Sequence, residues 1–198
     1  MYFQQRQRNA LKDQYTDMAE FLRKLDITVD IQEANEFTIP RISQLTKKTN
    51  QFNLTTRRYT EEDIKNFMKD GRHLVFSVNV KDKFGDNGLT GVFILDKKTR
   101  DSWEIDTLLL SCRIIGRDVE KAILAYIAQL AQKEKLKKLL GAFTPTEKNS
   151  LVKDFYPGNH FTKKGEGIFE IADFTLLKMP GHLTLLQPKS PATRATRA

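Results

Sequence analysis

Cys112 is the only cysteine in the chain, and it lies in "SCRIIGRDVE", next to Arg113 and shortly before a predicted helix. A thiolate is a competent acyl acceptor, and a neighbouring guanidinium and a helix N-terminus are the features that would favour one. A free cysteine also serves as a small buried apolar residue, so a nucleophile and a packing residue are both open readings. The same stretch sets Arg113, Ile115, Gly116 and Arg117 on a strand-to-helix turn. Such a turn offers unpaired backbone N–H groups and a partial positive charge, which makes it a candidate anion site. Gly116 would let the backbone approach a ligand closely or take a positive φ. The plain alternative is an N-capping Asp118 in an ordinary connection.

A second group of candidates lies in "TNQFNLTTRRY", Thr49 to Tyr59. Its side chains are dense in donors for a loop. Asn50, Gln51 and Asn53 are candidates to hydrogen-bond the polar groups of a substrate, and Thr55, Thr56, Arg57 and Arg58 to bind phosphate through charge-assisted contacts. A polar loop that caps neighbouring helices is the competing reading. In "KDKFGDNGLTG", Asp82 and Asp86 are candidate acid/base groups at a cleft mouth, although Asp86-Asn87-Gly88 is also explained by a tight hairpin turn. His73, His160 and His182 lack ligand spacing, so no metal site is expected. No Asp-x-Asp pair occurs, so the chain lacks a nucleophile and an acid/base carboxylate at that spacing on one loop.

These groups need a scaffold, and the patterning supplies one. Leu11, Tyr15, Met18, Leu22 and Leu25 fall at alternating steps of four and three, predicting one amphipathic helix within residues 1–25. Ile27, Val29 and Ile31 alternate as a strand. Helices are predicted from Thr38, with Ile42 and Leu45 inward, and after Thr60, with acidic residues in the first turn. "HLVFSVNV", "LTGVFILD" and "SWEIDTLLLS" form an antiparallel meander with a turn at Asn87-Gly88. A helix from about Asp118, a strand in "KLLGAFTP", a helix in "EKNSLVKDFY" and a last strand in "GIFEIADFTL" follow. The basic "KEKLKKLL" run reads as the solvated end of a helix.

The 198 residues carry a formal net charge of +8, which points to an anionic partner. Aromatic residues do not interleave with the basic ones, so nucleic acid is not the expected partner. No apolar run approaches the ~20 residues that span a bilayer. A single cysteine fits a reducing compartment, and a cytoplasmic location is expected. Residues 181–198 read as a basic, disordered tail.

The Arg-x-x-Gly turn after a central strand, with the late residues Asn149, Tyr156 and His160-Phe161, resembles the GNAT acyltransferase superfamily. The longer stretches "RISQLTKKTNQFNLTTRRYTEEDI", "KDKFGDNGLTGV" and "LLLSCRIIGRDVE" are similar to the C-terminal GNAT-like domain of the FkbH-like family. That resemblance implies an α/β fold over residues 26–180, with a mixed, mostly antiparallel central sheet flanked by helices. It implies that residues 1–25 form a linker helix following a haloacid dehalogenase (HAD-type) phosphatase domain, in cis or trans. The implied activity moves a glyceryl group, or a similar small acyl group, onto the phosphopantetheine of an acyl carrier protein. Arg113, Ile115, Gly116, Arg117, Asn149 and Tyr156 would then contact the phosphopantetheine or coenzyme A. One departure is Asp118, where the superfamily carries Gly or Ala; a carboxylate facing phosphates argues against ordinary coenzyme A use. The alternatives are an acetyl-CoA-dependent N-acetyltransferase and a non-catalytic carrier-docking domain.

Overall fold

The computed structural model describes residues 2–186. The predicted N-terminal helix is two helices, α1 (Tyr2–Lys12) and α2 (Met18–Lys24). The break has a local cause: Asp17 caps α2, its carboxylate accepting the Ala19 N–H at 2.8 Å. Such side chains compete with continuous helix. Met18, expected inward, is exposed.

The chain continues through β1 (Ile27–Glu33), α3 (Ile39–Lys48), a two-residue strand β2 (Phe52–Asn53) and α4 (Glu61–Lys69). Thr60 and Asp63 close α4 with a reciprocal capping box, as the sequence pattern requires. The meander is β3 (His73–Asp82), β4 (Gly85–Thr99) and β5 (Ser102–Leu110), followed by α5 (Val119–Lys133) and β6 (Lys138–Ala142). Beyond it come a short α6 (Phe155–Gly158), β7 (Thr162–Gly165), β8 (Ile168–Ile171) and β9 (Leu183–Leu186). The sheet order is β7-β8-β6-β5-β4-β3-β1-β9, with β2 added to β5 off this path. Among the described residues, only β5–β6 and β1–β9 pair in parallel.

Three expectations are corrected. The hairpin turns at Lys83-Phe84, not Asn87-Gly88, and the Phe84 N–H closes it on the Asp82 carboxylate at 3.0 Å. Gly88 keeps its positive φ of 70° inside a bulge of β4, where the β3–β4 register slips. The expected helix over 147–156 is a 3-10 turn (Ser150–Val152) and the four residues of α6. Leu183–Leu186, assigned to the tail, form β9 along β1; residues 187–198 lie outside the described residues.

The sheet is buried on both faces. On one, α5 packs Ile123 and Ile127 over Phe76, Phe93 and Leu108. On the other, α3 and α4 pack Ile39, Ile42, Leu45 and Ile64 over Val75, Val92 and Leu109. Every residue of β5 is buried. Its alternation breaks once: Ile94 pairs Thr107 while Leu95 pairs Ile105, so Asp106 is the extra residue of a bulge.

Candidate functional site

The site is built where two parallel strands separate. β5 and β6 pair only over Ser102–Ile105 and Lys138–Gly141. Past that point β2 takes the free edge of β5, Phe52 opposite Leu110 and Asn53 opposite Leu109. The Leu54 N–H donates to the Leu108 carbonyl at 3.2 Å, and the Thr144 N–H donates to the Leu54 carbonyl at 2.9 Å. Residues 52–54 are thus wedged between the diverging strands and bonded to both sides, satisfying backbone groups that would otherwise be buried unpaired.

Most donors of this segment serve the wedge itself. Asn53, fully buried, donates to the Thr49 carbonyl at 3.1 Å and accepts the Thr56 N–H at 2.9 Å, where Thr56 turns at φ +53°. Thr55 Oγ1 donates to the Asp106 carbonyl at 2.9 Å. Arg58 donates to the Thr46 carbonyl, and to the Thr49 carbonyl at 3.2 Å, capping the C-terminus of α3. Arg57 pairs with Asp106 and lies 3.8 Å from Glu104. Asn149 clamps the wedge from the far side, donating to the Asn53 carbonyl at 2.9 Å and the Thr144 carbonyl at 3.0 Å. The side chains of Asn53, Thr55, Arg57, Arg58 and Asn149 are therefore engaged in internal bonds in place of the ligand contacts expected of them, whereas Thr56 gives the wedge only its backbone N–H and lines a depression with Asn50, Arg58 and Lys148.

The bulge puts charge into the sheet. Besides Arg57, the Asp106 carboxylate accepts the Tyr59 hydroxyl at 2.7 Å and the Thr107 hydroxyl at 2.9 Å. Burial, then the Asp106 charge and hydrogen bond, push the Tyr59 phenol well above its ordinary pKa. Tyr156 is almost wholly buried, its ring lying against Gly141, where a Cβ would come within 2.3 Å of Cε1. Its hydroxyl lies near the Ala142 backbone without a well-formed hydrogen bond among the described residues. Burial, reinforced by the charges of Glu104 and Asp106, pushes its pKa far up, so it stays a neutral phenol at neutral pH. Tyr59, Glu104 and Asp106 were not singled out from the sequence. The available signal was two carboxylates in "SWEIDTLLLS", a strand otherwise fit for a two-sided core.

A pocket of about 350 Å³ opens at the C-terminal end of β5. Leu45, Phe52 and Leu110 floor it, and its polar wall is Asn50, Gln51, Ser111 and Cys112. Arg41 and Lys48 line it as cations. It therefore joins three sequence candidates, Asn50, Gln51 and the exposed Cys112. Cys112 opens a 3-10 turn (Cys112–Ile114), while α5 begins only at Val119. The α5 N-terminus thus falls at Asp118–Glu120 in the chain, not at the cysteine.

The turn after β5 is partly as expected. Gly116 takes φ +78°, and the half-buried Ile115 packs on the core. Arg113 Nε donates to Ser111 Oγ at 3.3 Å. Arg117 is turned inward: Nη1 lies 2.9 Å from Asp82 and Nη2 donates to the Arg113 carbonyl at 2.9 Å. Arg8 of α1 completes the cluster with two bonds to Asp82, at 2.7 and 2.9 Å. Burial alone would raise the Asp82 pKa, but the Arg8 bonds, the Phe84 N–H and both guanidinium charges hold it below the usual carboxylate range. A fully buried, doubly paired carboxylate is a structural anion, which corrects the acid/base role expected of Asp82. Asp86 is an exposed partner of Lys81 at 3.5 Å. Asp118 does not cap α5: it sits at φ +59°, paired with Lys121 at 2.8 Å and 3.7 Å from His182. His160 takes φ +67°, a backbone conformation that favours glycine.

The chain is similar in structure to a spermidine N-acetyltransferase from Vibrio cholerae solved with coenzyme A and spermine. The TM-score is 0.57 and the identity 12% over 76% of this chain and 98% of that one. A putative acetyltransferase of the GNAT family from Desulfovibrio desulfuricans superposes with TM-score 0.56, 11% identity, and 73% and 98% coverage. This is the GNAT fold. A Mycobacterium tuberculosis protein solved with coenzyme A shares it at TM-score 0.52 and 17% identity, covering 68% of this chain and 72% of that one. No protein-family model and no curated protein matches the chain.

Proposed function

We propose that this chain is an acyltransferase domain that moves a glyceryl or similar small acyl group onto the phosphopantetheine thiol of an acyl carrier protein. The observation that carries the reading is the pocket at the end of β5. There an exposed thiol shares a wall with two amide side chains and two cations. Arg41 and Lys48 would take a phosphate, Asn50 and Gln51 the amides of an extended arm, and the arm's end would reach Cys112.

The chemistry is an exchange of thioesters. The Cys112 sulfur holds the acyl group; the carrier thiolate attacks the carbonyl carbon, a new C–S bond forms, and the bond to Cys112 breaks with its electron pair returning to that sulfur. Both ends of the exchange are thioesters, so it needs no energy source. Loading of Cys112 calls for an activated acyl donor, the task the resemblance gives to a HAD-type phosphatase partner.

A second reading is an acetyl-CoA-dependent N-acetyltransferase, favoured by the coenzyme A in the similar structures. Two features argue against a polyamine acceptor in this pocket: Arg41 and Lys48 would repel a polycation, and residues 52–54 fill the space between β5 and β6. Titrating coenzyme A and phosphopantetheinylated carrier, with a parallel screen of amines against acetyl-CoA, separates the readings. Salt-sensitive carrier binding weakened by Arg113→Ala, with little amine turnover, is expected. Robust acetylation of a small amine would favour the second reading instead.

A further inference from the structure

We infer that the pocket at the end of β5 is a site for a phosphate-bearing ligand, its anionic group on Arg41 and Lys48 and its remainder running past Asn50 and Gln51 to Cys112. The inference deepens the proposed function and rests on it only for the role of the sulfur.

Uncompensated charge points there. Several cations elsewhere have carboxylate partners: Arg8 and Arg117 on Asp82, Arg72 and Lys98 on Asp96, Lys138 on Glu170. Arg41 and Lys48 line one small pocket, and neither has a carboxylate within ion-pair distance among the described residues. Arg41 donates instead to the Leu89 carbonyl, at 3.4 Å, and to the Gln44 side chain. Glu61 lines a separate depression that Arg41 shares with Lys47. Burial and the charge of Arg113 hold the Arg41 pKa below its ordinary value. Arg41 and Lys48, with no carboxylate within ion-pair distance among the described residues, make a positive field at the pocket that an anion relieves.

The shape fits the charge. A guanidinium and an ammonium lining one pocket suit phosphate, whose oxygens accept charge-assisted bonds from both. Beyond the cations the lining turns neutral, with amide and hydroxyl groups over an apolar floor. At about 350 Å³ the pocket is at the small end of ligand sites, so it takes a small molecule or the tip of a longer arm.

Cys112 provides the reporter. Its alkylation by iodoacetamide is followed by intact mass at constant ionic strength, with inorganic phosphate, 4′-phosphopantetheine or unphosphorylated pantetheine present. Both phosphate probes should slow alkylation severalfold, and pantetheine should not at the same concentration. Arg41→Ala and Lys48→Ala should each remove the protection. Lys137→Ala, which only breaks an exposed pair with Asp101, should keep it. Thermal melts identify any variant that fails to fold, and the exposed Lys48→Glu then supplies the charge test in its place. Stronger protection by phosphopantetheine identifies an arm; equal or weaker protection identifies a free phosphorylated molecule, and either upholds the site. No protection by either phosphate probe, or protection surviving both alanine variants, overturns it. Protection without carrier loading would reject the transfer reading alone, and loading without protection would reject this inference alone.

Discussion

The carboxylate of Asp82 lies between the guanidinium groups of Arg8 and Arg117, with no exposed surface on its side chain. Removing its charge leaves two cations buried together, and losing one member of a buried ion group costs about 3–5 kcal/mol. Asp82→Asn should therefore lower the melting temperature sharply, whereas Asp86→Asn, at an exposed pair, should change it little. The pH dependence has a definite sign. Asp82 is held below its ordinary pKa, and Asp96, where burial is outweighed by Arg72 and Lys98, is lowered to about 2. A depressed folded-state pKa contributes stability that is fully present above the unfolded value of about 4 and is lost as pH falls through the folded one. Denaturant melts should thus show stability falling from about pH 4 toward about 2, with a shallower fall in Asp96→Asn. A fall of unchanged steepness in that variant would contradict the assignment.

The wedge of residues 52–54 depends on two neighbours that do no chemistry. Gly141 leaves room for the Tyr156 ring, and a Cβ there would meet the ring at 2.3 Å. Because that ring is buried, Gly141→Ala should destabilise by about 1–3 kcal/mol in equilibrium unfolding. Asn149→Ala strands the Asn53 and Thr144 carbonyls, at a cost of about 1–3 kcal/mol. It should also speed hydrogen exchange at the Leu54 and Thr144 amides more than at β3; uniform acceleration would show that Asn149 does not hold the wedge. These elements show what the sequence made legible. The periodicity of β1, the meander and α5 reports one-dimensional burial, so those elements were readable, as was the start of α4 at Thr60, while the fold class followed from the resemblance carried by the turn after β5. The role of Asn53, Thr55 and Arg58 was not, because a donor that bonds its own chain and one offered to a ligand look alike in sequence. The hairpin was misplaced for a related reason: Asn-Gly suits a tight turn and a bulge equally, and only the register of β3 on β4 distinguishes them. Asp106 was missed because its bulge is a property of strand pairing.

Across the whole molecule, the N-terminal helix and the turn after β5 meet at a single carboxylate. Arg8 of α1 and Arg117 of the turn both bind Asp82, and Gln4 lies where a Cβ on Gly85 would fall. These contacts tie α1 to the turn that follows β5. The proposed function requires that Cys112 carry an acyl group to a carrier thiol. The most direct measurement supplies the HAD-type phosphatase partner, its activated acyl donor and a phosphopantetheinylated carrier, and follows both proteins by intact mass. The account predicts a hydroxylamine-labile acyl adduct on this chain, loss of that adduct in Cys112→Ala, and loss of carrier loading with it. Carrier loading by Cys112→Ala at the wild-type rate would contradict it.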